Sequence, residues 1–180
     1  MKILGLISVI ALVISLIYVQ IKWGPDYSKT FSRLVAQRRS SIIYYFLVFF
    51  VFLSSFSIFM IADFIPQFGL TGLFTWIYFL GVISQLICIT VPETGGYKTK
   101  VHLVAAGVMS VSATVQVALL ILLANLSLWS LIICILSLLI MASIWVVIIL
   151  KHNLMKYELG MQSLYFASYL SSLMFVSFIA

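Results

Sequence analysis

The chain has 180 residues, 64% of them hydrophobic and 8% charged, with ten Lys/Arg against four Asp/Glu and a net charge of +6. Soluble domains carry about 25% charged residues, so this inventory, with a mean hydropathy of +1.27, excludes a water-exposed surface around the whole fold. The positive excess is read as topology and attraction to anionic lipid headgroups rather than to nucleic acid, because no aromatic-interleaved basic groove accompanies it.

Six apolar runs follow one another, each long enough to cross a hydrocarbon core of ~30 Å as a helix. They predict an all-α polytopic protein, a six-helix transmembrane bundle forming one domain over residues 1–180. The expected spans are Ile3–Ile21, Ile42–Ala62, Leu70–Val91, Val101–Ala124, Leu128–Leu150 and Met161–Ala180. The runs are continuous and lack the alternation of barrel strands. Pro25, Pro66 and Pro92 all fall between them.

The first span follows Lys2 but has bulky residues where a small-x-small cleavage site would stand, so a retained helix is expected. After it comes "KWGPDYSKTFSRLVAQRRSS", in which Phe31, Leu34 and Val35 recur at helical spacing beside Lys29, Arg33, Arg38 and Arg39. Two readings fit this stretch. One is a short interfacial helix, apolar side down, with its basic residues toward anionic headgroups; the other is a basic loop that only enforces orientation. The connections "DFIPQFG" and "NLS" are short enough to make spans two–three and four–five antiparallel hairpins. The Asn125–Ser127 glycosylation pattern sits too close to the bilayer to be used.

Nine of the ten Lys/Arg lie in the loops between spans one and two, three and four, and five and six, with Lys98, Lys100, Lys151 and Lys156 in the latter two. The positive-inside rule therefore predicts these loops in the cytoplasm and both termini outside. Cys88 and Cys134 differ in depth by roughly 15 Å on that topology, too far for a disulfide.

No Asp, Glu, Lys, Arg or His falls near the middle of a span. That disfavours proton relays, a retinal lysine and bis-His haem, and no cofactor or metal is implied. Span four carries Ala106, Ser110, Ala113 and Val117 on one side, extended by His102. Such a small-residue face either packs a neighbouring helix or forms one wall of a lipid pocket, with Gln85 and Gln116 also at depth. The segment "VPETGGYKTKVHLVAAG" alone gathers Pro, Gly, acid, base and His. Glu93 and His102 there are open to three readings: a hydrogen-bonded latch between spans three and four, a headgroup site, or an acid–base pair. His152 and Glu158 are the residues that would join them around a metal.

The "YSKTFSRLVA" element after the first span, and the Pro-acid-Gly turn leading to a His that opens a small-residue fourth span, resemble the six-span bacterial membrane proteins grouped as domain-of-unknown-function family 998. More remotely, His102 with Ala106 is similar to a His-x-x-x-Ala pattern of eukaryotic autophagy-modulator and lipid-remodelling membrane proteins. The resemblance covers residues 20–125, although the first loop lacks the glycine expected after Leu34. It implies six helices in the cytoplasmic (plasma) membrane of a prokaryotic cell and no particular activity. The expected role is non-catalytic: binding a lipid or amphiphile, or supporting another membrane protein or a second copy. A lipid-modifying enzyme acting at Glu93 and His102 is the alternative, and a small-molecule transporter the third reading.

Overall fold

The computed structural model describes residues 1–23, 29–36, 39–70, 72–91, 93–150 and 157–179. These form α1 (Lys2–Trp23), α2 (Phe31–Val35), α3 (Arg39–Phe59), a π-helical turn (Met60–Phe64), α4 (Ile65–Gln67), α5 (Leu73–Thr90), α6 (Gly96–Leu123), α7 (Leu128–Leu150) and α8 (Glu158–Ile179). Six helical stretches are long and apolar enough to cross a membrane: Lys2–Lys22, Ser41–Gln67, Leu73–Thr90, Gly96–Leu123, Leu128–Leu150 and Glu158–Ile179. Helices close all their backbone bonds within one segment, which is why an apolar chain resolves into them. The protein is an all-α bundle, multi-pass by length and composition.

Boundaries shift where local chemistry was hidden in the apolar runs. The second span continues to Gln67, so Pro66 lies inside it rather than between spans. The π turn makes this possible. Ile65 N–H bonds the carbonyl of Met60, five residues back, and the wider turn precedes the proline that cannot donate. The fourth span starts at Gly96 instead of Val101. Gly95 (φ +107°) and Gly96 (φ +56°) turn the chain through the left-handed region. Thr99 does not precede the helix as its N-cap; its Oγ1 accepts from Gly95 N–H at 2.8 Å. The last span opens earlier too, at Glu158, while the fifth coincides with expectation.

α5 and α6 form the most extensive pair, followed by α7–α8, α1–α3 and α6–α7. The core runs through Phe49, Phe56, Phe59, Phe64, Val117, Leu120, Met141 and Leu173. Along α3 the rings meet at one-turn spacing, with centroids 4.5 Å apart for Tyr45–Phe49 and 5.2 Å for Phe52–Phe56. Outward, Ile3, Trp76, Val104, Leu136 and Leu150 are exposed, an apolar girdle suited to lipid contact. Cys88 and Cys134 are buried and free.

Candidate functional site

At one end of the bundle the polar residues converge. Thr30 caps α2, its Oγ1 accepting from Arg33 N–H at 3.0 Å, and the same hydroxyl donates to Glu93 Oε2 at 2.9 Å. Arg33 donates to Glu93 Oε1 at 2.5 Å, and its other terminal nitrogen lies 4.0 Å from Glu158. Glu93 has a side chain 1% exposed against 45% for Arg33, so a buried carboxylate is neutralised from the rim. Phe31 N–H donates to Gln162 Oε1 at 2.9 Å, tying α2 to α8.

α2 therefore differs from the interfacial expectation. Phe31, Leu34 and Val35 are buried in the protein core, not turned to lipid, and Arg33 addresses two carboxylates rather than headgroups. The apolar side was correctly legible; what covers it was not. Lys29 is half-buried and Arg39 opens α3, while Arg38, Lys151, His152, Lys156, Pro25 and Pro92 lie outside the described residues.

Glu93 and His102 are not joined to each other. His102, 5% exposed, bonds through Nδ1 to the carbonyl of Val91 at 2.8 Å, closing the end of α5 onto α6. Its own carbonyl faces Cys88 Sγ at 3.7 Å. Both Glu93 oxygens are engaged by α2, so the residues form two separate clasps and no acid–base dyad is assembled. Among the described residues no group of three or more His, Cys, Asp or Glu is placed to hold a metal.

Beside the clasps lies a cavity of about 290 Å³ between α6, α7 and α8, roofed by Thr30. Its rim carries Thr30, Glu158 and Gln162, and its walls Leu103, Met109, Ile144, Trp145, Ile148, Met161 and Phe166. The small-residue side of α6 divides here. Ala113, Val117 and His102 turn into the core, whereas Ala106 and Ser110 line this cavity. Ser110 Oγ donates to the Ala106 carbonyl at 2.9 Å, and Tyr165 donates to the Ser110 carbonyl. Gln85 and Gln116 line a second cavity of about 80 Å³ farther along the bundle. Gln116 Oε1 accepts from Tyr169 at 2.7 Å. Tyr165, Trp145 and Gln162 were missed by the sequence reading, since an aromatic residue or an amide in an apolar run carries no mark of the cavity it faces.

Comparison with known proteins gives no match to a family model, to a curated protein or to a solved structure.

Proposed function

We propose that the chain binds an amphiphile, with the tail between α6, α7 and α8 and the polar head at Thr30, Glu158 and Gln162. The observation that carries this reading is the cavity of about 290 Å³, lined mostly by apolar side chains, with Thr30, Glu158 and Gln162 gathered at its α2 end and the Ser110 and Tyr165 hydroxyls in its wall already bonded. That division matches a molecule with one wet and one dry end. The role is non-catalytic on this reading: Thr30, Gln162 and Ser110 already hold hydrogen bonds, and Glu158 lies 4.0 Å from Arg33.

Membrane placement belongs to the same proposal. The polar rim shares its end of the bundle with Arg33, Lys98 and Lys100, so the head lies on the cytoplasmic side of a prokaryotic plasma membrane, with both termini outside. A cytoplasm-only fluorescent reporter stably fused after Ala180 is expected to stay dark, and a bright fusion overturns the placement.

The binding reading is tested by native mass spectrometry of the protein released from mild detergent with added lysophospholipid. Wild type is expected to retain one lysophospholipid through activation that strips detergent. Ala106→Leu, which adds three heavy atoms to the cavity wall, is expected to lose at least about ten-fold in occupancy with its thermal midpoint kept. Equal occupancy in both proteins contradicts the proposal.

A further inference from the structure

The two cavities share Met109 and Phe166, which line both and so stand as a neck between them. Beyond the neck the inner cavity is walled by Leu12, Phe49, Leu53 and Leu170, yet it also receives Gln85, Gln116 and Tyr169. Gln85 is 8% exposed, and no described residue bonds its carboxamide. Gln116 gives its oxygen to Tyr169, and its Nε2 has no acceptor among the described residues. Both carboxamides keep surface open to this cavity, and amide surface facing an apolar space without a partner is costly. Two amides around one small cavity are therefore a demand for a hydrogen-bonding group.

We propose that this inner cavity is a subsite for a neutral carbonyl or hydroxyl borne partway along the tail of the amphiphile, read by Gln85 and Gln116. A charged group is unsuited, because no Asp, Glu, Lys, Arg or His lines the cavity to balance it. The position along the tail follows from α8. Glu158 marks the rim and Tyr169 the inner cavity, eleven residues or about 16 Å apart along the axis, so the group sits mid-chain and not beside the head. The inference rests on the amphiphile reading and adds the chemistry that would distinguish one tail from another. It makes Gln85 and Gln116 specificity-determining residues, and Met109 and Phe166 the passage that a tail must thread.

The experiment is a competition between two lysophospholipids of equal chain length, one with a plain octadecanoyl chain and one with a mid-chain ketone. Bound masses are read by native mass spectrometry. Wild type is expected to favour the ketone about five- to ten-fold, the scale of one satisfied buried hydrogen bond. Gln85→Leu is expected to lower the ratio to what Gln116 alone contributes while plain-chain occupancy holds. Phe166→Trp, which narrows the neck without touching either amide, is expected to remove the preference, and stands as the second variant should Gln85→Leu fold poorly. No ketone preference in wild type, with occupancy still sensitive to Ala106→Leu, overturns the subsite and leaves the outer pocket standing. If neither lipid is retained in an Ala106-sensitive way, the amphiphile reading falls and the subsite with it. An unchanged preference in both variants places the discrimination elsewhere and overturns the assignment of Gln85.

Discussion

Where α5 turns into α6, the elements are joined by directed polar bonds: Thr30 and Arg33 to Glu93, Phe31 N–H to Gln162, His102 to the Val91 carbonyl. Toward the opposite end of the bundle, where α1 begins and α3 runs into the π turn, the joint is made of rings. Phe59 lies 5.6 Å from Phe56 and 5.8 Å from Phe64, and α1 reaches it through Gly5, where a Cβ would stand 2.7 Å from the ring. Polar bonds specify one partner geometry and leave space between the groups they join; ring packing fills space and tolerates no addition. The cavity of about 290 Å³ has its polar rim at the clasped end.

The contrast can be broken most forcefully at Arg33. Arg33→Met leaves Glu93 buried without its cation and is expected to cost about 3 kcal/mol in thermal or denaturant unfolding in detergent. Glu93→Gln is expected to cost less, about 1 kcal/mol, because Gln still accepts from Thr30 and the half-exposed guanidinium can turn to water. The reverse order would show that the clasp is not held by the buried carboxylate.

At the ring-packed end, Gly5→Val is expected to cost about 2 kcal/mol, since Phe59 is fully buried and flanked on both sides. Phe59→Leu combined with Gly5→Val should cost less than the sum of the two single changes. Strict additivity would deny the contact.

His102→Leu strands the Val91 carbonyl and is expected to cost about 1.5 kcal/mol, whereas His102→Asn keeps a donor near Nδ1 and should retain most of the stability. Equal losses would mean that shape, not the hydrogen bond, matters there. The smallest effect is expected at Ser127, whose Oγ accepts from Ser130 N–H at 3.3 Å at the start of α7. Ser127→Ala should cost about 0.5–1 kcal/mol.

Hydropathy made six helices legible because an apolar run of twenty residues has few other solutions in a membrane. The π turn was not legible, since a single change to i→i+5 bonding leaves no trace in a run that is apolar on every side. In the sequence Pro66 therefore reads as a boundary. α2 shows a second limit: the periodicity of Phe31, Leu34 and Val35 reveals an apolar side without saying whether lipid or protein covers it. Glu93 shows a third. Its partner lies 60 residues away, while His102, nine residues along, was the partner that sequence proximity suggested. Ala106 and Ser110 fit a packing face or a pocket wall equally well in sequence, and only the placement of α7 and α8 separates them from Ala113 and Val117.

The most direct measurement of the amphiphile claim is photolabelling in membranes. A lysophospholipid with a diazirine partway down its tail is added to vesicles carrying the protein, irradiated, and the labelled peptides are mapped. The account predicts labelling concentrated on Met109, Trp145, Met161 and Phe166, saturable by unlabelled lipid and lost in Ala106→Leu. Labelling spread over the exposed faces of α1 and α7, unsaturable and indifferent to Ala106→Leu, would contradict it.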